Sequence, residues 1–147
     1  MRAFILAAFA AFAFMVAPAS AQTRPQTMSG VWLGQYSYPP EAGRAPVKFQ
    51  ARFSSNAATG RVTGSMIEPN TFGDQTAYFL TSTIAGSIGP NDAVLLDKTY
   101  DGTGGQTHTV HYEGAFSVGC VDGRWAIGAS GGPFHMCPAG GSRPAPR

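Results

Sequence analysis

The stretch Val47-Lys48-Phe49-Gln50-Ala51-Arg52-Phe53 decides the fold class, because apolar and polar side chains alternate along it without a break. Successive side chains of an extended strand point to opposite faces, so Lys48, Gln50 and Arg52 share a solvent face and the apolar residues share a buried one. A second such run, Val94-Leu95-Leu96-Asp97-Lys98-Thr99-Tyr100, is also bounded by turn residues. No apolar period of 3.6 residues competes with these runs, which indicates an all-β protein.

Turn residues divide the chain after Met28 into about eight predicted strands. These strands cover residues 30–38, 47–53, 61–68, 77–88, 93–100, 107–117, 124–130 and 133–137. Their connections are short and rich in Gly, Pro, Asn and Asp, which favours neighbours that run up and down. About eight such strands can close on themselves and remove the unpaired edges of the sheet. We therefore predict a small antiparallel up-and-down barrel.

The first residues have the pattern of a secretory signal peptide. Arg2 precedes a short apolar run, and Ala19-Ser20-Ala21 supplies the small residues that a signal peptidase reads. The run is shorter than the roughly 20 residues that span a bilayer, so we expect no membrane span. Cleavage before Gln22 would give a secreted or periplasmic protein.

The predicted organisation has one folded domain. A signal peptide covers residues 1–21, a polar lead-in residues 22–28, the β-barrel domain residues 29–137, and a disordered tail rich in Pro, Gly and Arg residues 138–147. Between Ser29 and Cys137 the sequence has six basic and eight acidic side chains. Nucleic-acid binding needs a clustered basic face, so no nucleic-acid partner is expected.

Cys120 and Cys137 are the only cysteines of the chain. In an oxidising compartment such a pair favours a structural disulfide, which for a loop of this size stabilises the fold by about 3 kcal/mol. A redox-active pair would favour a Cys-x-x-Cys motif at a helix start, and the sequence indicates no helix. If Gly131-Gly132 forms the tight turn, Cys137 lies opposite about Ala126 and both sulfurs face one end of the barrel.

No set of residues forms a recognisable metal or catalytic centre. His108 and His111 are three apart, so on a strand they face opposite sides of the sheet and cannot hold one ion together. His135 lies near Cys137, but a bridged Cys137 leaves no soft ligand. The chain also lacks the Gly-x-Ser-x-Gly elbow of a serine hydrolase and the Gly-Lys-Ser/Thr ending of a phosphate loop. We expect no metal, no cofactor and no enzyme activity.

Glu68 and Lys98 are the charges of greatest interest. Counting by two places Glu68 on the face of Met66 and Lys98 on the face of Tyr100. If these faces line the interior, the two charges must pair, because a buried charge persists only when it is paired and hydrogen-bonded. A closed polar network without a ligand, or two rim charges in water, remain the alternatives.

An aromatic set accompanies these charges and defines a candidate ligand site. The candidate ligand-binding residues are Trp32, Tyr36, Met66, Glu68, Lys98, Tyr100, Tyr112 and Trp125. A barrel of about eight strands is either filled by such side chains or wide enough for one small ligand. Glycines within the strands, such as Gly34 and Gly114, fit either a cavity or sharp coiling.

Several short motifs of the chain resemble the avidin and streptavidin family. They are Gly30-Val31-Trp32, Thr63-Gly64-Ser65, Lys98-Thr99-Tyr100, His108-Thr109-Val110-His111-Tyr112-Glu113-Gly114 and Gly123-Arg124-Trp125. The resemblance implies an eight-stranded up-and-down barrel, and the motifs also suit other calycin barrels such as lipocalins. Where that family places polar groups on the biotin ureido group, this chain has Gly34, Met66 and Val110. Each hydrogen bond left unmade would cost about 1 to 3 kcal/mol, which disfavours biotin.

The sequence favours an exported barrel that binds a small apolar or amphipathic ligand in its interior without catalysis. The alternative is an interaction module with a filled barrel, which engages an envelope or extracellular protein or a second copy of itself. A hollow core near Trp32, Tyr100 and Tyr112 would favour the first, and a packed core with an exposed apolar patch the second.

Overall fold

A computed structural model describes residues 26–140 and shows a closed barrel of eight antiparallel strands. The strands are β1 (Gly30–Tyr36), β2 (Val47–Ser55), β3 (Arg61–Pro69), β4 (Phe79–Ile88), β5 (Ala93–Tyr100), β6 (Thr109–Ser117), β7 (Cys120–Ile127) and β8 (Ser130–Pro138). Each strand pairs with the next, and β8 returns to pair with β1. The predicted all-β, up-and-down barrel is confirmed. The predicted signal peptide at residues 1–21 and residues 141–147 of the predicted tail lie outside the described residues.

The last hairpin differs from the predicted one. The turn lies at Gly128 and Ala129, whereas Gly131 and Gly132 belong to β8 and pair with Ala126 and Trp125. Gly132 is needed inside the strand because a Cβ there would lie 2.0 Å from the Ser37 carbonyl oxygen. The predicted position of Cys137 opposite Ala126 is therefore wrong.

Cys137 instead lies beside Cys120, since Val121 pairs with Met136 one position further along. The Cα atoms of the two cysteines are 4.3 Å apart and their sulfurs are bonded. The predicted disulfide is confirmed, and it joins the start of β7 directly to the end of β8.

The strand directions give the barrel two ends of different character. At the closed end, Met28, Trp32, Phe53, Val62 and Val121 fill the interior, and the connections are short turns. At the open end, the β1–β2, β3–β4 and β5–β6 connections are longer. The inward residues there are Tyr36, Glu68, Lys98, Tyr100 and Trp125, so the buried polar side chains concentrate at the open end.

The inward glycines mark close packing and not empty space. Gly34 lies opposite Phe49, and a Cβ at this glycine would lie 2.3 Å from the phenyl ring. A Cβ at Gly123 would lie 2.1 Å from the Glu113 carbonyl oxygen and 2.7 Å from the Phe134 ring. At these positions the structure shows rings packed over the glycines, which rules out the alternative of a cavity there.

Both ends of the described chain are attached to the barrel. Met28 is fully buried in the core, and its amide donates to the Ser55 hydroxyl at 2.9 Å. Beyond β8, the Ala139 amide donates to the Val31 carbonyl at 2.8 Å. Within residues 26–140, no helix has the length and apolar character needed to cross a membrane.

Candidate functional site

An ion pair is buried inside the open end of the barrel. Strands β3 and β5 turn Glu68 and Lys98 inward, and the Lys98 Nζ lies 2.6 Å from the Glu68 Oε2. Both side chains are 1% exposed. The predicted internal pair is therefore present, and the alternative of two rim charges in water is wrong.

Two tyrosines complete the hydrogen bonding of this pair. The Tyr100 hydroxyl donates to Glu68 Oε1 and accepts a hydrogen bond of 2.7 Å from Lys98 Nζ. The Tyr36 hydroxyl donates to the same Glu68 oxygen at 3.4 Å. Lys98 Nζ also lies 4.4 Å from the centre of the Tyr100 ring. Glu68 therefore accepts from three donors, which compensates the loss of water around a buried carboxylate.

Burial fixes the protonation states of this network. Burial raises the pKa of both Tyr36 and Tyr100 far above the ordinary value, and the negative charge of Glu68 raises each pKa further. Burial lowers the pKa of Lys98, while Glu68 opposes that shift by favouring the charged ammonium. The two tyrosines consequently stay neutral and remain hydrogen-bond donors in the folded protein.

A pocket of about 170 Å³ opens above the ion pair. Its lining is mostly aromatic, with three cationic or titratable nitrogen side chains. The lining residues are Tyr36, Tyr38, Arg44, Phe72, Lys98, Tyr100, His108, Val110, Tyr112, Trp125, Ile127 and Ser130. An engineered apolar cavity of about 150 Å³ is large enough to bind benzene. The volume therefore suits a molecule built around one ring or a short chain.

Loop residues form the mouth of this pocket. The Arg44 guanidinium lies 4.3 Å from the centre of the Tyr38 ring and donates to the Thr71 carbonyl at 2.9 Å. The His108 ring packs on Tyr100 with centres 4.7 Å apart, and Phe72 contacts Tyr100 edge to face. Burial, and next the positive charge of Lys98, lower the pKa of His108, so a neutral imidazole is favoured at the mouth.

Hydrogen bonds hold the loop that carries Phe72. The Asn70 side chain donates to the carbonyls of Asp74 and Ala77 at 2.6 and 2.8 Å, and its oxygen accepts from the Gly73 amide at 2.7 Å. The Asp74 amide donates to the Gly104 carbonyl of the neighbouring loop at 2.9 Å. The mouth is thus preformed by loop-to-loop contacts.

Tyr112 offers a free hydroxyl to the pocket. The residue is buried and lines the pocket, yet its hydroxyl has no hydrogen-bond partner among residues 26–140. Within that range, the only sealed side-chain polar atom without a partner is Trp32 Nε1, at the other end of the barrel. The Tyr112 hydroxyl must therefore open into the pocket, where a bound molecule could hydrogen-bond to it.

The structure brings together most, but not all, of the predicted ligand-binding residues. Tyr36, Lys98, Tyr100, Tyr112 and Trp125 line the pocket, and Glu68 lies directly behind it. Two others do not line this pocket: Trp32 fills the closed end, and Met66 is buried in the core.

Sequence reasoning missed the residues of the mouth. Tyr38, Arg44, Phe72 and His108 lie outside the strands, in three loops that are distant along the chain. Tyr38 and His108 belong to the predicted strands 30–38 and 107–117, but β1 ends at Tyr36 and β6 begins at Thr109. For Arg44 and Phe72 the only signal is compositional, since each is a cationic or aromatic side chain in a connection otherwise rich in small residues. Their convergence depends on which loops share one end of the barrel.

A broader depression of about 760 Å³ crosses the outer surface of the barrel from β4 to the start of β8. Its charged residues form cross-strand pairs, such as Asp97 with His111, whose Oδ1 and Nδ1 atoms are 2.6 Å apart. These side chains are exposed, so water solvates them and the pairs contribute little energy. The buried and preformed polar groups make the open end the stronger candidate site.

Comparison with known proteins found no matching family model, curated protein or solved structure. The closed eight-stranded barrel is consistent with a calycin-like fold. No family model or relative supports an avidin-like identity beyond this fold.

Proposed function

We propose that this protein is an exported barrel that binds a small amphipathic molecule at its open end without transforming it. The observation that carries the proposal is the preformed aromatic pocket, in which the Tyr112 hydroxyl has no protein partner and the Lys98 ammonium forms part of the floor. Small-molecule sites typically combine apolar walls with a few fixed polar groups in this way.

The polar groups of the pocket favour a ligand that carries a hydrogen-bond acceptor. An ammonium has three protons, and Lys98 uses two of them for Glu68 and Tyr100. The third proton and the Tyr112 hydroxyl are available as donors. The Arg44 guanidinium at the mouth adds a positive charge. A small aromatic carboxylic acid, or a neutral carbonyl compound of similar size, matches this chemistry.

The same contacts support binding over catalysis. Glu68 already accepts from Lys98, Tyr36 and Tyr100, so its oxygens are occupied and not poised to take a proton from a substrate. General acid–base chemistry needs a group within hydrogen-bond reach of the reacting proton and with a suitable pKa. The high pKa of the two tyrosines makes them poor acids near neutral pH.

Fluorescence titration tests the proposal. Trp32→Phe leaves Trp125, in the pocket wall, as the only tryptophan reporter. We expect small aromatic acids to change Trp125 emission. Biotin should bind weakly because, of the three positions where the resembling family is polar, only Val110 lines the pocket, and Val110 is apolar. Tyr112→Phe should weaken binding about fivefold to tenfold, since it removes one hydrogen bond.

A matched control separates the pocket from the rest of the barrel. Tyr78 is 94% exposed, so Tyr78→Phe should leave binding unchanged. Failure of aromatic acids, lipids and neutral carbonyl compounds to perturb Trp125, together with no adduct in native mass spectrometry of protein from its own host, would refute the carrier function.

Export has a separate test, because residues 1–21 lie outside the described part of the chain. N-terminal sequencing of protein from the medium or the periplasm should begin at Gln22. Recovery of Met1 on a cytoplasmic form would contradict export without affecting the binding proposal.

An exposed apolar patch favours the second candidate function, a protein-interaction module. Ile67, Tyr78 and Phe79 lie on the outer surface near the open end, where Phe79 pairs with Pro69 and Ile67 with Thr81. Phe79→Ser should abolish any self-association seen by sedimentation, or any partner capture, without altering the fold. Unchanged behaviour of this variant would remove the case for the module.

A further inference from the structure

Four side chains of the kinds that bind metals lie together on the outer face of the β7–β8 hairpin, and two of them form the disulfide. Cys120 and Asp122 on β7 lie beside Cys137 and His135 on β8, with Asp122 directly paired to His135. One ligand atom each from Cys120, His135 and Cys137 lie within 4.8 Å of one another. The His135 Nε2 is 3.1 Å from the Cys137 sulfur.

His135 is already oriented as a metal ligand would be. Its Nδ1 lies 2.6 Å from the Asp122 Oδ1, which leaves the Nε2 directed at the sulfurs. A metal-bound histidine commonly donates the N–H of its other ring nitrogen to a carboxylate in this manner. A tetrahedral zinc site with Zn–S bonds of about 2.3 Å places its sulfurs about 3.8 Å apart, which is compatible with this cluster.

We propose that the disulfide blocks a zinc site, and that the reduced protein binds one Zn²⁺ through Cys120, Cys137 and His135. Asp122 acts as the outer partner of His135, and water fills the fourth position. The bridged sulfurs carry no thiolate charge, so the oxidised protein lacks two of the three ligands. Oxidation and zinc binding therefore exclude each other at the closed end of the barrel.

The chemistry balances with a dithiol as reductant. The dithiol transfers two electrons and two protons to the Cys120–Cys137 bond, which breaks to give two thiols, and the reductant itself becomes a disulfide. Zn²⁺ then replaces the two thiol protons, which are released to solvent, and accepts the His135 nitrogen as a third ligand. No other redox partner is required.

Metal titration of the full chain tests the proposal. We expect the dithiol-reduced and desalted protein to bind one equivalent of Zn²⁺ in competition with a chromophoric chelator, and to show thiolate-to-metal absorption with Co²⁺. The oxidised protein should bind neither tightly. Asp122→Asn should weaken Zn²⁺ binding roughly 10- to 100-fold, and His135→Ala should weaken it further.

The barrel provides its own matched control. His111 and Asp97 form the same exposed cross-strand pair, also with a 2.6 Å Nδ1–Oδ1 distance, but have no cysteines beside them. His111→Ala should therefore leave Zn²⁺ binding unchanged. Equal binding by the reduced wild-type protein and the reduced His135→Ala variant would overturn the proposed ligand set.

Loss of the fold on reduction would still decide the question. In that case Zn²⁺ should restore the near-ultraviolet circular dichroism of the buried aromatic residues, because metal binding would then be coupled to folding. If the reduced chain stays unfolded with Zn²⁺, or stays folded and binds no Zn²⁺, the site does not exist.

Discussion

The two ends of one barrel are stabilised in different ways. At the closed end, Trp32 packs edge to face on Phe53 and Phe116, and a disulfide joins the last two strands. At the open end, the interior contains the Glu68–Lys98 pair and is not completely filled. The interior of the closed end is therefore apolar, whereas the interior of the open end also holds two buried charges that must stay balanced. The proposed ligand site lies where packing is incomplete.

Breaking the ion pair should produce the largest effect. Lys98→Met leaves Glu68 buried without its counter-charge, and we expect the free energy of unfolding to fall by about 3 to 5 kcal/mol. Adding Glu68→Gln should recover part of this loss, because the carboxylate charge is then removed as well. Urea midpoints of the two single variants and the double variant measure the coupling.

Lys48 provides the control for this cycle, since it lies on the outer face of β2 and is exposed. Lys48→Met should change the free energy of unfolding by less than about 0.5 kcal/mol. Small and additive shifts for Lys98 and Glu68 would contradict the difference drawn between the two ends.

Alkaline pH should weaken the open end next. The pKa values of Tyr36, Tyr100 and Tyr112 are raised above the ordinary value of 10.0, mainly by burial. Above pH 10 the unfolded chain loses these protons while the folded chain keeps them, so the free energy of unfolding falls as pH rises. Each tyrosine lowers the free energy of unfolding by about 1.4 kcal/mol per pH unit above pH 10. The three together therefore lower it by about 4 kcal/mol at one pH unit above that value.

Lys98 acts in the opposite direction below its ordinary pKa of 10.5, because its lowered pKa makes the unfolded chain bind the extra proton. Urea unfolding from pH 9 to 11 should therefore show a steep loss only above pH 10. The phenolate absorbance of Tyr36, Tyr100 and Tyr112 should rise together with unfolding, and Tyr112→Phe should remove about one third of the slope. Ionisation of all tyrosines in the folded protein would show that water reaches the tyrosine hydroxyls inside the open end of the barrel.

The sequence is sufficient for the barrel, because strand alternation and turn residues predict nearly every strand. Alternation also places Glu68 on the face of Met66 and Lys98 on the face of Tyr100, but it does not decide whether these faces point inward, so the buried ion pair is only one of the alternatives that the sequence leaves open. The register of the last hairpin could not be predicted, because Gly128-Ala129 and Gly131-Gly132 are both plausible turns. Two contacts distinguish them: Gly132 lies against the Ser37 carbonyl within β8, and the direct pairing of Cys120 with Cys137 requires the turn at Gly128-Ala129.

The sequence predicts only those residues of the candidate pocket that lie on strands. Tyr100 and Tyr112 follow from strand alternation, whereas Tyr38, Phe72 and His108 belong to loops without a period. Alternation predicts Trp32 at the ligand site, because it gives the face on which a residue lies but not its height in the barrel. Height depends on strand direction and register, which place Trp32 at the closed end.

Overpacking the middle of the barrel should have a moderate effect. A Cβ at Gly34 would meet the Phe49 ring and the Met136 Cβ, at 2.3 and 2.7 Å, so Gly34→Ala should destabilise the fold by about 1 to 3 kcal/mol. Adding Phe49→Leu should relieve part of this cost, and Gln35→Ala on the outer face is the control. A neutral Gly34→Ala would show that space exists between the two ends.

Relieving strain at the closed end should have the smallest effect, and the opposite sign. Val118, in the turn between β6 and β7, is 85% exposed and has a φ of 51°. A β-branched side chain is disfavoured there, whereas Asn before Gly suits such a two-residue turn, and Gly119 follows with a φ of 79°. We expect Val118→Asn to raise the free energy of unfolding by about 0.5 to 1 kcal/mol.

Val118→Ala keeps a side chain at positive φ and should give a smaller gain in the same urea experiment. Because the turn contacts neither Lys98 nor the pocket, ligand binding and the alkaline loss of stability should remain unchanged in both variants. A change in either property would mean that the two ends are energetically coupled, so that the closed end influences the pocket as well as the stability of the barrel.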